Sequence, residues 1–220
     1  MRRIDWRLCF IADSEAARCR DILLLIGAAI AGGATLIQIR GKNWTSRELL
    51  DAGIKAFRSL RPNKIPLIIN DRVDIAMACE ADGVHLGQDD MPLPYARKLL
   101  GKNRLVGISV SLTEEAEIAE KEGADYVGVG PIFATSSKKD IGPLVGLDGL
   151  RYIREKVKIP ILAIGGINPA NAAQVIRAGA DGVAVISAIM GSADPNRAAA
   201  ELKEAIKKAA SGTNGSVSRN

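Results

Sequence analysis

Short runs of branched apolar residues alternate along the chain with longer stretches whose apolar positions recur at helical spacing. The runs at 8–11, 36–39, 67–69, 84–86, 105–109, 126–129, 161–164 and 183–186 predict strands. Helices are expected near 21–32, 46–60, 72–80, 92–100, 113–122, 147–157, 169–178 and 195–210. Eight strand–helix units in a chain of 220 residues predict a single (β/α)8 TIM barrel, with a doubly wound open sheet as the competing architecture.

An internal repeat favours the barrel. Gly33-Ala34-Thr35-Leu36-Ile37-Gln38-Ile39, Glu80-Ala81-Asp82-Gly83-Val84-His85-Leu86, Gly123-Ala124-Asp125-Tyr126-Val127-Gly128-Val129 and Gly179-Ala180-Asp181-Gly182-Val183-Ala184-Val185 lie over one another at every second strand. Read with period two, Ile37/Ile39, Val84/Leu86, Val127/Val129 and Val183/Val185 form an apolar face suited to packing under helices. The opposite face, with Gln38/Arg40, His85/Gly87, Gly128/Gly130 and Ala184/Ile186, is mostly polar or small and would line the barrel interior. Ligands of such barrels bind at the C-terminal ends of the strands.

One segment imitates an export signal or membrane span. Residues 22–39 are nearly free of charge and follow Arg18 and Arg20, but Gly27, Gly32 and Gly33 interrupt them. The expected reading is helix, turn and strand, with no membrane partner. The barrel domain is expected to occupy 1–210. Residues 211–220, Ser-Gly-Thr-Asn-Gly-Ser-Val-Ser-Arg-Asn, have almost nothing to bury and are expected to be a disordered tail.

Composition adds three constraints. A content of 47% hydrophobic residues suffices for one large core. The formal charge of +5 favours anionic ligands, while an aromatic content of only 4% argues against nucleic acid as partner and points to small phosphorylated molecules. Cys9, Cys19 and Cys79 are odd in number and without metal-ligand spacing, which fits a reducing, cytoplasmic setting. The chain is compatible with a homo-oligomer.

The candidate chemistry falls at the strand ends. The stretch from Gly128 to Asp140 runs a strand into a loop bearing Thr135, Ser136, Ser137, Lys138 and Lys139, donors and cations suited to phosphate. Gln38-Ile39-Arg40-Gly41-Lys42 sets an amide beside two cations, suited to a polar heterocycle with a charged tail. Asn70-Asp71 and His85-Leu86-Gly87-Gln88-Asp89-Asp90 bring carboxylates to adjacent strand ends, where they can share one Mg²⁺. Asp71 fits a helix N-cap equally well, and Asp89 or Asp90 a cap before Pro92. His85, the only histidine, suits a core or supporting role better than a metal ligand. Ser109 ends the fifth strand, and Gly165-Gly166 and Ile186-Ser187 follow the seventh and eighth, where barrels commonly bind phosphate through backbone N–H groups.

Taken together, these motifs resemble the thiamine-phosphate synthase (thiamine-phosphate pyrophosphorylase) family over roughly residues 8–208. The resemblance implies a transferase that joins 4-amino-2-methyl-5-(diphosphooxymethyl)pyrimidine to thiazole phosphate with Mg²⁺, releasing pyrophosphate in thiamine biosynthesis. It assigns Gln38, Arg40, Lys42 and Asn70 to the pyrimidine diphosphate, counts the intervening Ile39 and Gly41 among the substrate-binding positions, and gives Asp71 and Asp90 to Mg²⁺. Ser109 and Lys138 fall to the diphosphate, and Thr135, Ser136, Ser137, Gly166, Ile186 and Ser187 to the thiazole phosphate. Arg40, Ser109 and Lys138 are the expected catalytic groups. The chain departs from the family pattern at Ala134 and Ser137, where the loop usually reads Pro-Thr-x-Thr-Lys, at Ser111 in place of a histidine, and at Ala12 in place of a threonine. A thiazole tautomerase-like isomerase and a non-catalytic phosphate-binding regulatory barrel are the competing functions.

Overall fold

The computed structural model describes residues 4–135 and 143–212. Eight parallel strands close into a barrel in sequence order: β1 (Leu8–Asp13), β2 (Leu36–Arg40), β3 (Leu67–Asn70), β4 (Gly83–Leu86), β5 (Leu105–Val110), β6 (Tyr126–Val129), β7 (Ile161–Ile164) and β8 (Gly182–Val185). Strand β1 pairs with both β2 and β8, which completes the circle. The open-sheet alternative is thereby excluded.

The helices are α1 (Ser14–Ala17), α2 (Ile22–Gly32), α3 (Ser46–Leu60), α4 (Val73–Ala78), α5 (Leu93–Leu100), α6 (Thr113–Lys121), α7 (Gly146–Lys156), α8 (Ala172–Arg177), α9 (Ser187–Met190) and α10 (Pro195–Gly212). The charge-free segment resolves as α2, a left-handed cap at Gly33 (φ 109°), and β2. Among the described residues no helix is long and apolar enough to cross a membrane.

The fourfold repeat has a physical cause. At its third position Asp82 accepts from the Leu67 N–H (2.9 Å), Asp125 from Val106 (2.8 Å) and Asp181 from Ile161 (2.8 Å), while Thr35 Oγ1 accepts from Leu8 (3.0 Å). Each of these residues also donates its own N–H to the carbonyl of the same partner: Thr35 to Leu8, Asp82 to Leu67, Asp125 to Val106, Asp181 to Ile161. Every even strand therefore clamps the first residues of the odd strand before it. These donors would otherwise stand unpaired at the barrel floor.

The period-two reading also holds in space. Ile37, Ile39, Val84, Leu86, Val127, Val129 and Val183 are wholly buried and Val185 nearly so, within the layer shared by strands and helices. Gln38, His85, Ser109, Gly128 and Ala184 surround a small space inside the barrel.

The differences from expectation are local. Strand β1 runs on to Asp13 because Asp13 pairs in register with Arg40. Strand β8 stops at Val185, and Ile186 becomes the cap of α9. The helices α1 and α9 are single turns, too short for periodicity to reveal. Helix α8 starts at Ala172, since Asn168 N–H donates to Asn171 Oδ1 (2.8 Å) and Ala170 N–H to Asn168 Oδ1 (2.9 Å), bracing a turn instead. Helix α10 carries through Ser211 and Gly212, two residues past the expected boundary.

Candidate active site

The C-terminal ends of the strands surround a cavity of about 460 Å³, a size suited to small organic ligands. Arg40, Lys42, Asn70, Asp71, Asp90, Ser109, Thr135, Gly166, Ile186 and Ser187 all border it. Gln38 lies deeper, in the barrel interior. Ile39 faces the other way: it is wholly buried in the outer layer, as alternation along β2 requires, and does not border the cavity. Gly41 does not border the cavity either. Ser136, Ser137 and Lys138 lie outside the described residues.

Arg40 is anchored. Its Nη1 lies 2.5 Å from Asp13 Oδ2, with 10% and 1% of the two side chains exposed. The other oxygen of Asp13 caps α1 through the Ala16 N–H (2.9 Å), and the Asp13 N–H meets Met190 Sδ of α9 (3.3 Å). Five donors in a planar fork let a guanidinium hold one carboxylate and still face an anion.

Lys42, half exposed, extends from the end of β2 to Asp71 Oδ2 at 2.8 Å. This contact holds the lysine's pKa above its ordinary value. Asp71 follows β3 in the left-handed region (φ 64°), its N–H bonded to the His85 carbonyl (2.8 Å), and this turn sends its carboxylate to the mouth. The N-cap of α4 is Arg72, so the capping alternative for Asp71 does not hold. Burial raises the Asp71 pKa, and neighbouring Asp90 raises it further; Lys42 opposes both. Asp90 Oδ2 accepts from the Gly87 N–H (2.6 Å), which fixes it half-buried, whereas Asp89 is exposed. Both border the cavity, and Asp90 is the one held by a backbone hydrogen bond.

Ser109 Oγ contacts His85 Nε2 at 2.8 Å, and Gln88 Nε2 donates to the Ser109 carbonyl (2.6 Å), tying the β4 and β5 loops together. Across the mouth, Gly165 and Gly166 adopt φ of 99° and 64°. A Cβ at Gly166 would lie 2.7 Å from both the Ala134 carbonyl and Phe133 Cβ, so this glycine fits the backbone against the β6 loop. Asn171 Nδ2 holds the Gly166 carbonyl (2.9 Å). Ile186 and Ser187 open α9 on the same side.

A family model described as thiamine monophosphate synthase matches residues 8–189. The chain belongs to the thiamine monophosphate synthase family. Within that family it is 54% identical over 206 residues to the thiamine-phosphate synthase of Moorella thermoacetica, covering 93% of this chain and 98% of the relative. The thiamine-phosphate synthase of Chloroflexus aurantiacus is 51% identical over 203 residues, with 92% and 94% covered. Among solved structures, the thiamine phosphate pyrophosphorylase of Pyrococcus furiosus superposes with a TM-score of 0.85 at 41% identity, covering 93% of this chain and 97% of that one. Family membership and the barrel thus agree with each other and with the motifs at the strand ends.

Two members of the site escaped the sequence reading. No motif assigns a role to Asp13, which pairs with Arg40, and Tyr126, which meets His85 at 3.0 Å, enters only as a position of the repeat. The available signal was the sign of charge: Asp13 ends β1 as Arg40 ends β2, but only the register makes them neighbours.

Proposed function

We propose that this transferase joins 4-amino-2-methyl-5-(diphosphooxymethyl)pyrimidine to thiazole phosphate, forming thiamine phosphate and releasing pyrophosphate. The observation that carries this reading is the arrangement of one mouth: cations and paired carboxylates at the ends of β2, β3 and β4, facing a glycine-lined backbone site after β7 and β8.

The thiazole nitrogen supplies the electron pair for the new C–N bond, and the methylene C–O bond breaks as pyrophosphate departs. No general base is required, which suits a site of donors and cations. Arg40, Lys42 and Ser109 meet the oxygens on which charge accumulates, and Lys138 joins them by the family resemblance. Asn70 and Gln38 orient the pyrimidine. Backbone N–H groups near Gly166, Ile186 and Ser187, with Thr135, Ser136 and Ser137, receive the thiazole phosphate.

Asp71 and Asp90 fit Mg²⁺: they are hard oxygen donors, close enough that Asp90 raises the pKa of Asp71, and a cation already attends Asp71 in the form of Lys42. They would hold it, and bound there it would neutralise charge on the departing pyrophosphate. Incubating the protein with both substrates and Mg²⁺ should yield thiamine phosphate. Its absence under those conditions would overturn the reading.

A further inference from the structure

We propose that Tyr126 and His85 are positioning residues that fix the Ser109 hydroxyl with its proton aimed into the mouth, ready for an anionic oxygen. The proposal rests on the reading of that mouth as a diphosphate site.

Tyr126 Oη lies 3.0 Å from His85 Nδ1, and His85 Nε2 lies 2.8 Å from Ser109 Oγ. The three side chains rise from β6, β4 and β5, and they reach one another across the barrel interior because two glycines make room. In register, Gly107 of β5 lies between His85 and Tyr126, and Gly128 of β6 lies beside Ser109. A Cβ at Gly107 would come within 2.1 Å of the Tyr126 ring, and one at Gly128 within 2.9 Å of His85 Cε1. The Tyr126 ring, 1% exposed, packs on Trp6 with centroids 4.9 Å apart and on His85 at 5.4 Å. Burial holds the Tyr126 phenol well above its ordinary pKa, with the Gln38 amide acting in the opposite sense. The phenol therefore keeps its proton and remains a donor.

A neutral imidazole has one donor and one acceptor nitrogen, so a bond at one end dictates the role of the other. With Tyr126 donating to Nδ1, the ring proton sits on Nε2 and is donated to Ser109 Oγ. The serine's own O–H then points to the cavity that Ser109 borders. The reverse polarity would direct the serine proton to the ring and turn an oxygen lone pair toward the place where negative charge must bind. Only the first polarity makes Ser109 a donor to a leaving group whose charge grows during the reaction, where such a bond strengthens most.

His85 is the sole histidine, so labelling histidine with nitrogen-15 gives a single ring to read in the intact protein. The expected spectrum shows Nε2 protonated and Nδ1 bare; an Nδ1-protonated ring would overturn the proposal. Tyr126→Phe keeps the ring that fills the Gly107 niche and removes only the hydroxyl. It should lower kcat about tenfold while leaving both KM values within about threefold, and it should cost nothing further in a Ser109→Ala background. An equal loss in both backgrounds would mean a packing role and would also overturn it. If the unaltered protein made no thiamine phosphate, the functional reading would fail by itself, and the nitrogen spectrum would still decide the polarity.

Discussion

Arg40 and Asp13 form an ion pair 2.5 Å long in the wall of the mouth, with nearly all of both side chains withdrawn from water. Two withdrawn charges offset each other only as a pair, so loss of one leaves the other uncompensated. Asp13→Asn retains an oxygen for the Ala16 N–H but removes the charge. It should lower stability by about 3 kcal/mol and raise the KM for pyrimidine diphosphate. A thermal melt beside substrate kinetics checks both, and an unchanged melt would show that solvent already neutralises Arg40.

Asp71→Asn and Asp90→Asn should each cripple turnover while the fold survives, since asparagine tolerates the left-handed backbone at position 71 and neither side chain packs in the core. EDTA should abolish activity, and activity in EDTA equal to that in Mg²⁺ would refute the assignment. The raised Asp71 pKa sets the sign of the pH effect. Metal needs the deprotonated carboxylate, so Mg²⁺ affinity should fall as pH drops through that pKa, at a higher pH than for an ordinary aspartate. Titrating Mg²⁺ at several pH values reads this directly.

Lys42→Ala and Gly166→Ala should separate the two substrates. The first removes a cation from the pyrimidine-diphosphate side and should raise that KM and lower kcat, leaving the thiazole-phosphate KM unchanged. The second forces a Cβ against Phe133 and the Ala134 carbonyl at a positive φ, so it should raise the thiazole-phosphate KM and also lower stability by about 1–2 kcal/mol. Titration with each substrate in turn checks the assignment, which the reverse pattern would overturn.

For the loop beyond Thr135, the expectation rests on sequence. Lys138→Ala should cost roughly 10²–10³ in kcat, whereas Lys139→Ala should change the rate less than about threefold. Ser137→Ala should chiefly raise the thiazole-phosphate KM, and Ser137→Thr should be tolerated. Equal losses for the two lysines would reduce the loop to a diffuse positive field.

Asp125 is distant in role from this chemistry. Its carboxylate holds the Val106 N–H and lies 2.5 Å from Arg97. Asp125→Ala should lower stability by about 1–3 kcal/mol with kcat unchanged, as measured by denaturant titration and turnover on the same sample.

By itself the sequence determined the eight strands, the inward face of the four even strands and the fourfold repeat that carries Thr35, Asp82, Asp125 and Asp181, because alternation and spacing are local properties of the chain. It also brought the right residue types to the strand ends, since a barrel presents every such end at one mouth. Partnerships were decided only by the tertiary structure. Asp13 finds Arg40, Lys42 finds Asp71, and Tyr126 finds Ser109 through His85 because barrel closure fixes a register between segments 27, 29 and 17–41 residues apart. Which hydrogen bonds form across that register depends on ring size, glycine gaps and burial, and none of these is written in the order of residues along a single strand.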